Sequence, residues 1–193
     1  MHNAAQLRAK NARKTSLTQV NEIFQSRLEY EVLTQIGNKI PESKRNNIFT
    51  LYENNMRSVF ESIGEYDRNE KYEEIFNEES VIVSITKDEE LVAFVSFRFD
   101  TEEGEEENLF AIIYLYELQV QQSYQNGKIG AKCLDSLHSL KELLKLDKTM
   151  LTVSKYNPRG VKFYSRNHFE LDEIDPSWFE GGENENYHIM SRA

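Results

Sequence analysis

Apolar residues recur along this chain at two spacings, and the changes from one spacing to the other mark out its elements. From 47 to 62, Ile48, Leu51, Tyr52, Met56, Val59 and Phe60 return every three or four positions, which predicts an amphipathic helix stopped near Gly64. A shorter charged helix follows over 69–76. Residues 80–86 are apolar and β-branched, Lys87-Asp88-Glu89-Glu90 is a polar turn, and 91–99 return as a second strand, so a hairpin is expected. The stretch 101–108 carries five glutamates and one glycine and reads as an exposed loop. Residues 109–120 begin apolar on both faces (Phe110, Ala111, Ile112, Ile113), the mark of a central strand covered on two sides. The period then lengthens. Ile129, Cys133, Leu137, Leu140 and Leu144 define a helix with one apolar face. A strand at 150–154, a helix at 158–165 with Val161 and Tyr164 on one side, and strands at 168–171 and 187–191 complete the series, with a first strand at 29–36. This order predicts a mixed α/β fold, one sheet with helices on both faces.

Residues 1–21 contain Arg8, Lys10, Arg13 and Lys14 and no acid. They are either a helix packed on the rest or a solvated tail. The division expected is a helical extension over 1–28 and one domain over 29–193.

Composition narrows the function classes. With 23 Lys+Arg against 33 Asp+Glu the net charge is −10, which disfavours direct binding to nucleic acid and suits a basic partner as well as simple solubility. No apolar run reaches the ~20 residues of a membrane span, and the start lacks the apolar core of a signal peptide. The single cysteine, Cys133, excludes an internal disulfide and reads as a buried thiol. Cytoplasm and nucleus are the expected locations. The four histidines show no metal spacing, so no metal is expected.

The strand at 109–120, the Gly-containing turn and the helix that follows suit an anion. Backbone N–H groups at a helix start lack internal partners, and Gly127 and Gly130 permit close approach or a positive φ. Asn126-Gly127 is equally an ordinary turn dipeptide.

Gln125-Asn126-Gly127-Lys128-Ile129-Gly130, following Tyr116-Glu117-Leu118-Gln119-Val120 and followed by 151–157 and Phe163-Tyr164, resembles the GNAT superfamily of acetyltransferases. The loop is similar to that family's pyrophosphate signature, with Lys128 where its first glycine is usual. Asn55-Met56, Phe97-Arg98-Phe99-Asp100, Tyr114-Leu115-Tyr116-Glu117, Met150-Leu151-Thr152-Val153 and Tyr187-His188-Ile189-Met190-Ser191 resemble the NatD family, N-terminal acetyltransferases selective for histones. The resemblance runs from about residue 29 onward.

It implies a GNAT fold, a mostly antiparallel twisted sheet of about seven strands flanked by helices. It implies acetyl-CoA as cosubstrate, a basic histone tail beginning Ser-Gly-Arg-Gly as acceptor, and a monomer without auxiliary subunit. In roles, it implies Glu117 as general base through water with Tyr116 beside it, and Tyr164 near the CoA sulfur. Asp100, Tyr114, Thr152, Tyr187 and Phe60 would line the peptide site, Phe60 standing where the family tends to have a tyrosine. Leu118, Gln119, Val120, Gln125, Asn126, Gly127, Lys128, Ile129, Gly130, Ala131 and Asn157 would hold the cofactor. Period-two alternation puts Tyr114 and Tyr116 on one face and Glu117 on the other unless a bulge intervenes. Several plainer readings stand beside these. Asp100 and Glu117 are also strand-end carboxylates, Tyr164 a packing residue, Asn157 a cap for the helix at Pro158, and the acid run at 102–107 a solvated loop. The competing activities are acetylation of lysine side chains or small amines, and acyl-CoA binding without catalysis.

Overall fold

The computed structural model describes residues 2–105 and 108–193; Met1, Glu106 and Glu107 lie outside the described residues. Seven strands form one mixed sheet in the order β1-β2-β3-β4-β5-β7-β6. The chain divides into two compact units, a larger one of Ser16–Arg98 and Tyr116–Ser136 and a smaller one of Met1–Thr15, Phe99–Leu115 and Leu137–Ala193.

In the larger unit, helix α2 (Leu17–Gln25) follows an N-cap at Ser16, whose hydroxyl accepts from the Thr18 N–H at 3.2 Å. Strand β1 (Glu31–Ile36) pairs antiparallel with β2 (Val81–Lys87) from Glu31↔Thr86 to Ile36↔Val81. Helix α3 spans Glu42–Ser62, five residues longer at its start than the apolar period suggested. Pro41 is the reason: proline ahead of a helix presets φ and opens the helix instead of merely interrupting the chain. Gly64, at φ 73, ends the run in the left-handed region. Helix α4 (Arg68–Ile75) is capped by Asp67, which accepts from the N–H groups of Asn69 and Glu70 at 2.9 and 3.0 Å. The hairpin joins β2 to β3 (Glu90–Glu103) through Asp88 and Glu89, both left-handed at φ 50 and 67. Two consecutive left-handed residues match the right-handed twist of paired strands. Ile48, Phe49, Leu51 and Tyr52 of α3 pack with Ile75, Phe76, Ile82 and Phe94 as one buried cluster, with Phe60 and Tyr66 against its edge.

In the smaller unit, helix α1 (His2–Ala12) buries Ala5, Ala9 and Ala12, a single face of small side chains. Arg8 pairs with Asp147, and Arg13 donates to the Phe99 carbonyl at 2.9 Å and to Asp100 at 3.1 Å. The basic segment is therefore a packed helix and not a solvated tail. Residues 101–103, expected in a loop, extend β3, because the long central strand continues its ladder in spite of its acidic sequence. Strand β4 is Leu109–Val120. It runs parallel to β5 (Lys148–Ser154), pairing over Ile112↔Lys148 to Tyr114↔Met150. Lys148 starts β5 two residues early and is tolerated in the interior because its ammonium bonds buried Asp172 at 2.7 Å. Helix α6 (Pro158–Arg166) precedes β6, which shrinks to Glu170–Leu171 since His168 is left-handed at φ 67 and cannot be extended. Strand β7 (Tyr187–Arg192) pairs with β5 from Thr149↔Arg192 to Ser154↔Tyr187. Helix α5 (Ile129–Leu144) contributes to both units.

Candidate functional site

Along β4 the burial alternates without a break from Ile113 to Val120, odd positions buried and even ones half-buried. Glu117 therefore keeps the face opposite the tyrosines. It is 8% exposed and lies in the larger unit under α3 and α4. Its Oε1 is 3.2 Å from the Lys71 ammonium, and its Oε2 accepts from Gln119 Nε2 at 2.7 Å. Gln119 Oε1 in turn accepts from Asn55 Nδ2 at 2.9 Å, and the same nitrogen donates to the Val120 carbonyl at 3.1 Å. That backbone carbonyl can only accept, so it fixes the polarity of the whole chain of bonds. The Asn55 nitrogen must face it, the Gln119 oxygen must face Asn55, and the Gln119 nitrogen must face Glu117.

Burial pushes the Glu117 carboxyl above its ordinary value, with Glu74 adding to the rise; Lys71 and Gln119 oppose it without cancelling it. Burial would lower the Lys71 ammonium, but Glu117 and Glu74 outweigh it and hold the group firmly charged. Tyr52, under the same cluster and 5.6 Å from the Lys71 nitrogen, has its phenol raised, chiefly by burial and then by Glu117. A carboxylate with raised proton affinity, on a strand that leads into a helix start, is suited to accept a proton at neutral pH.

On the other face of β4, the Arg98 guanidinium stacks on the Tyr116 ring at 4.1 Å and donates to Ser80 Oγ at 3.1 Å and the Glu74 carbonyl at 2.6 Å. Phe60 packs against the α3 core cluster, and Tyr66 bonds Glu53.

The loop after β4 departs from expectation. The glycines are not its left-handed residues; Asn126 and Lys128 are, at φ 66 and 64. Lys128 takes up the conformation for which a glycine was expected. Gly127 serves close approach instead: a Cβ there would meet the Tyr124 carbonyl at 3.1 Å. Gln125 donates to the Val120 carbonyl at 3.1 Å. Ile129 opens α5 with Gly130 and Ala131 in its first turn, which holds no acid to repel an anion from the helix's free N–H groups. Leu118 and Val120 are half-buried on the strand just before.

In the smaller unit, Asp100 accepts from Arg13 and from the Thr101 N–H at 2.9 Å. The Tyr114 and Thr152 hydroxyls share a hydrogen bond of 2.6 Å just past the last β4–β5 pair. Tyr187 sits opposite Ser154 in the β5–β7 ladder. Asn157 is the N-cap of α6, accepting from the Gly160 N–H at 3.0 Å. Tyr164 meets Phe163 and Phe169 edge-on at 5.3 and 5.7 Å. Cys133 is fully buried and its thiol is pushed up to about 12 by that burial, which leaves it inert. Among the described residues no group of three or more His, Cys, Asp and Glu could hold a metal ion, and no helix is long and apolar enough to cross a membrane.

Lys71 carries no role in the sequence reading, and Asn55 and Arg98 enter it only as letters in motifs. One signal for Lys71 was present: it lies four residues before Ile75, on the face α4 buries.

Comparison with known proteins agrees with this architecture. The sequence model of the acetyltransferase (GNAT) family matches residues 46–169. PaiA N-acetyltransferase from Thermoplasma acidophilum, solved with coenzyme A, is 14% identical over 84% of this chain and 98% of its own, with a TM-score of 0.57. Arabidopsis thaliana Naa50, solved with the bisubstrate analogue CoA-Ac-MVNAL, is 16% identical over 84% of this chain and 98% of its own, with a TM-score of 0.54. Ard1 from Thermoplasma volcanium is 12% identical over 83% and 96%, with a TM-score of 0.55.

Proposed function

The chain belongs to the acetyltransferase (GNAT) family, and from that premise we propose that it is an acetyl-CoA-dependent N-α-acetyltransferase of NatD type, acting in cytoplasm and nucleus on histone tails that begin Ser-Gly-Arg-Gly. The observation that carries the proposal is Glu117: a buried carboxylate with raised proton affinity, held by Lys71 and Gln119 on the strand that leads to the start of α5. A protein α-amine titrates near 7.7–8.0, so at neutral pH it must lose a proton before it can attack. Glu117 takes that proton through water. Acetyl-CoA supplies the thioester whose acetyl carbon bonds the amine nitrogen as the carbon–sulfur bond breaks. The N–H groups of Ile129, Gly130 and Ala131 hold its diphosphate, the loop Gln125–Lys128 shaping the approach, and Tyr164 returns a proton to the departing thiolate. Asp100 takes the cationic start of the peptide, and Thr152 and Tyr187 are assigned to the peptide by the same resemblance, as are Tyr114, Tyr116 and Phe60; Tyr114 and Tyr116 lie on the β4 face opposite Glu117, so they do not wall the pocket in which it acts. The Naa50 neighbour was solved with a peptide joined to CoA, which supports a peptide acceptor. The net charge of −10 suits a basic tail.

The test is to incubate the protein with acetyl-CoA and a Ser-Gly-Arg-Gly-Lys peptide and to locate the acetyl group by fragment mass spectrometry. Acetyl on the α-amine is the expected result. Acetyl on lysine would replace this reading with a side-chain acetyltransferase, and no transfer would leave acyl-CoA binding alone. Replacing Glu117 with Gln should lower kcat by ~10²–10⁴-fold; an unchanged rate removes Glu117 from the base role.

A further inference from the structure

Lys71 is placed where a lysine needs a reason. Its side chain is 22% exposed and its ammonium reaches two carboxylates, Glu74 one turn along α4 and Glu117 on β4. A surface i,i+3 pair with Glu74 alone would not require the side chain to run inward under Tyr52. The charge is directed at Glu117.

Among the described residues, these charged and polar groups stand beside Glu117. From α4 come the Lys71 cation and the Glu74 anion; from α3 come the neutral Tyr52 phenol and, through Gln119, the Asn55 amide; from β4 itself comes the Gln119 amide. Only one of these groups is positive. Glu117 is buried, and a buried carboxyl without a cation tends to keep its proton. A carboxyl that keeps its proton cannot take another. The same burial that raises its proton affinity to a useful level would overshoot and disable it if nothing opposed it.

We propose that Lys71 is a positioning residue for the acetyl transfer: its ammonium, 3.2 Å from Oε1, holds Glu117 ionised and fixes that oxygen, while Glu74 draws part of the charge away and sets how strongly it acts. Lys71 does not touch the substrate in this scheme; it acts through Glu117. The proposal rests on Glu117 being the base, and it adds a tuning triad, Glu74–Lys71–Glu117, of which the middle member is the adjustable charge.

The geometry makes the two ends of the triad act in opposite directions. Removing Lys71 takes away the cation bonded to Glu117. Removing the Glu74 charge takes away a like charge and leaves the ammonium to Glu117 alone. General damage to the fold does not produce opposite shifts from neighbouring residues.

The experiment is the pH dependence of kcat/KM for the full chain with a Ser-Gly-Arg-Gly peptide. In the wild type the acid limb reports the base. Lys71→Met should move that limb up by about 1–3 pH units, Lys71→Arg should restore it to within about half a unit, and Glu74→Gln should move it down. Glu74 is about one-third exposed, so its substitution is tolerated by folding even where Lys71→Met is not. An acid limb that stays in place in both Lys71→Met and Glu74→Gln, or moves the same way in both, overturns the proposal. Should Lys71→Met fail to fold, the Glu74→Gln shift decides alone: downward supports the triad, unchanged or upward overturns it. Failure of the underlying base assignment looks different, because Glu117→Gln would then retain the wild-type rate and limb whatever the Lys71 variants do.

Discussion

Asn55 offers a way to reverse, with one atom-for-atom exchange, the polarity of the amide relay that ends on Glu117. Asn55→Asp keeps the shape but removes both donors. Aspartate then presents oxygen to the Gln119 oxygen and to the Val120 carbonyl, where Asn55 donated at 2.9 and 3.1 Å. The Gln119 amide relieves one of these clashes by turning over. Its carbonyl oxygen then faces Glu117 Oε2, where its nitrogen donated at 2.7 Å. A bond to the ionised carboxylate becomes a contact that only a protonated carboxyl satisfies, so the proton affinity of Glu117 rises further; one good hydrogen bond lost amounts to about one pH unit. Asn55→Ala is the companion variant. It deletes two hydrogen bonds at about 1 kcal/mol each and strands the buried Gln119 oxygen, for about 2–3 kcal/mol in total, but it reverses nothing. In a chain of this length that is a fall in Tm of roughly 5–10 °C. Thermal melts and pH–rate profiles of both variants are the assay. Asn55→Asp should shift the acid limb upward by more than Asn55→Ala does, although both lose stability. An acid limb unmoved in Asn55→Asp would refute the claim that amide polarity holds Glu117 in its working state.

Two further outcomes follow from the fold. Asp175 is fully buried and accepts from the Ile189 N–H at 2.7 Å, the Ser177 N–H at 2.9 Å and His188 at 3.2 Å. Burial alone would raise its carboxyl, but the hydrogen bonds from Ser177, Ile189 and His188 outweigh it and hold it below the ordinary value. A lowered folded value means that its stabilisation is present above the unfolded pKa and is lost as pH falls through the folded one; urea midpoints should therefore drop on acidification below ~4 in the wild type, and less steeply in Asp175→Asn, which starts ~2–4 kcal/mol lower. At Lys128, φ 64 sets the cost of substitution: Lys128→Gly should change stability by less than about 1 kcal/mol, since relief of left-handed strain offsets the added freedom of the unfolded chain. Lys128→Val should lose ~1–2 kcal/mol in the same thermal melt, because a β-branched residue resists that conformation.

What the sequence made legible was whatever depends on near neighbours. β4 and the start of α5 appear in the structure at the residues their periods predicted, and the hairpin turn falls at Asp88-Glu89, because burial on one or two faces writes itself directly into residue spacing. The ends of elements were less legible. Pro41 opens a helix although it reads as punctuation, and residues 101–103 are strand although they read as loop, since sheet pairing supplied by distant residues outweighs local composition. Glu117 was legible as a candidate through its motif. Its partners were not: Lys71 is separated from it by 46 residues and Gln119 from Asn55 by 64, and no local pattern reports a contact of that range. The docked state of the N-terminal helix was hidden for the same reason, because Arg8 and Arg13 find their acids only at Asp147 and Asp100.

That helix also imposes an order on biosynthesis. The larger unit is drawn from residues up to Ser136, whereas the smaller one is assembled from three separated stretches, the last of which carries β7. On synthesis α1 precedes Asp147 and waits for it before Arg8 can be paired. An unpartnered apolar face invites aggregation in proportion to its area. A face built of Ala5, Ala9 and Ala12, with Arg8 and Arg13 beside it, is a small one. The alanines that look like weak glue in the finished protein are what make the long wait safe.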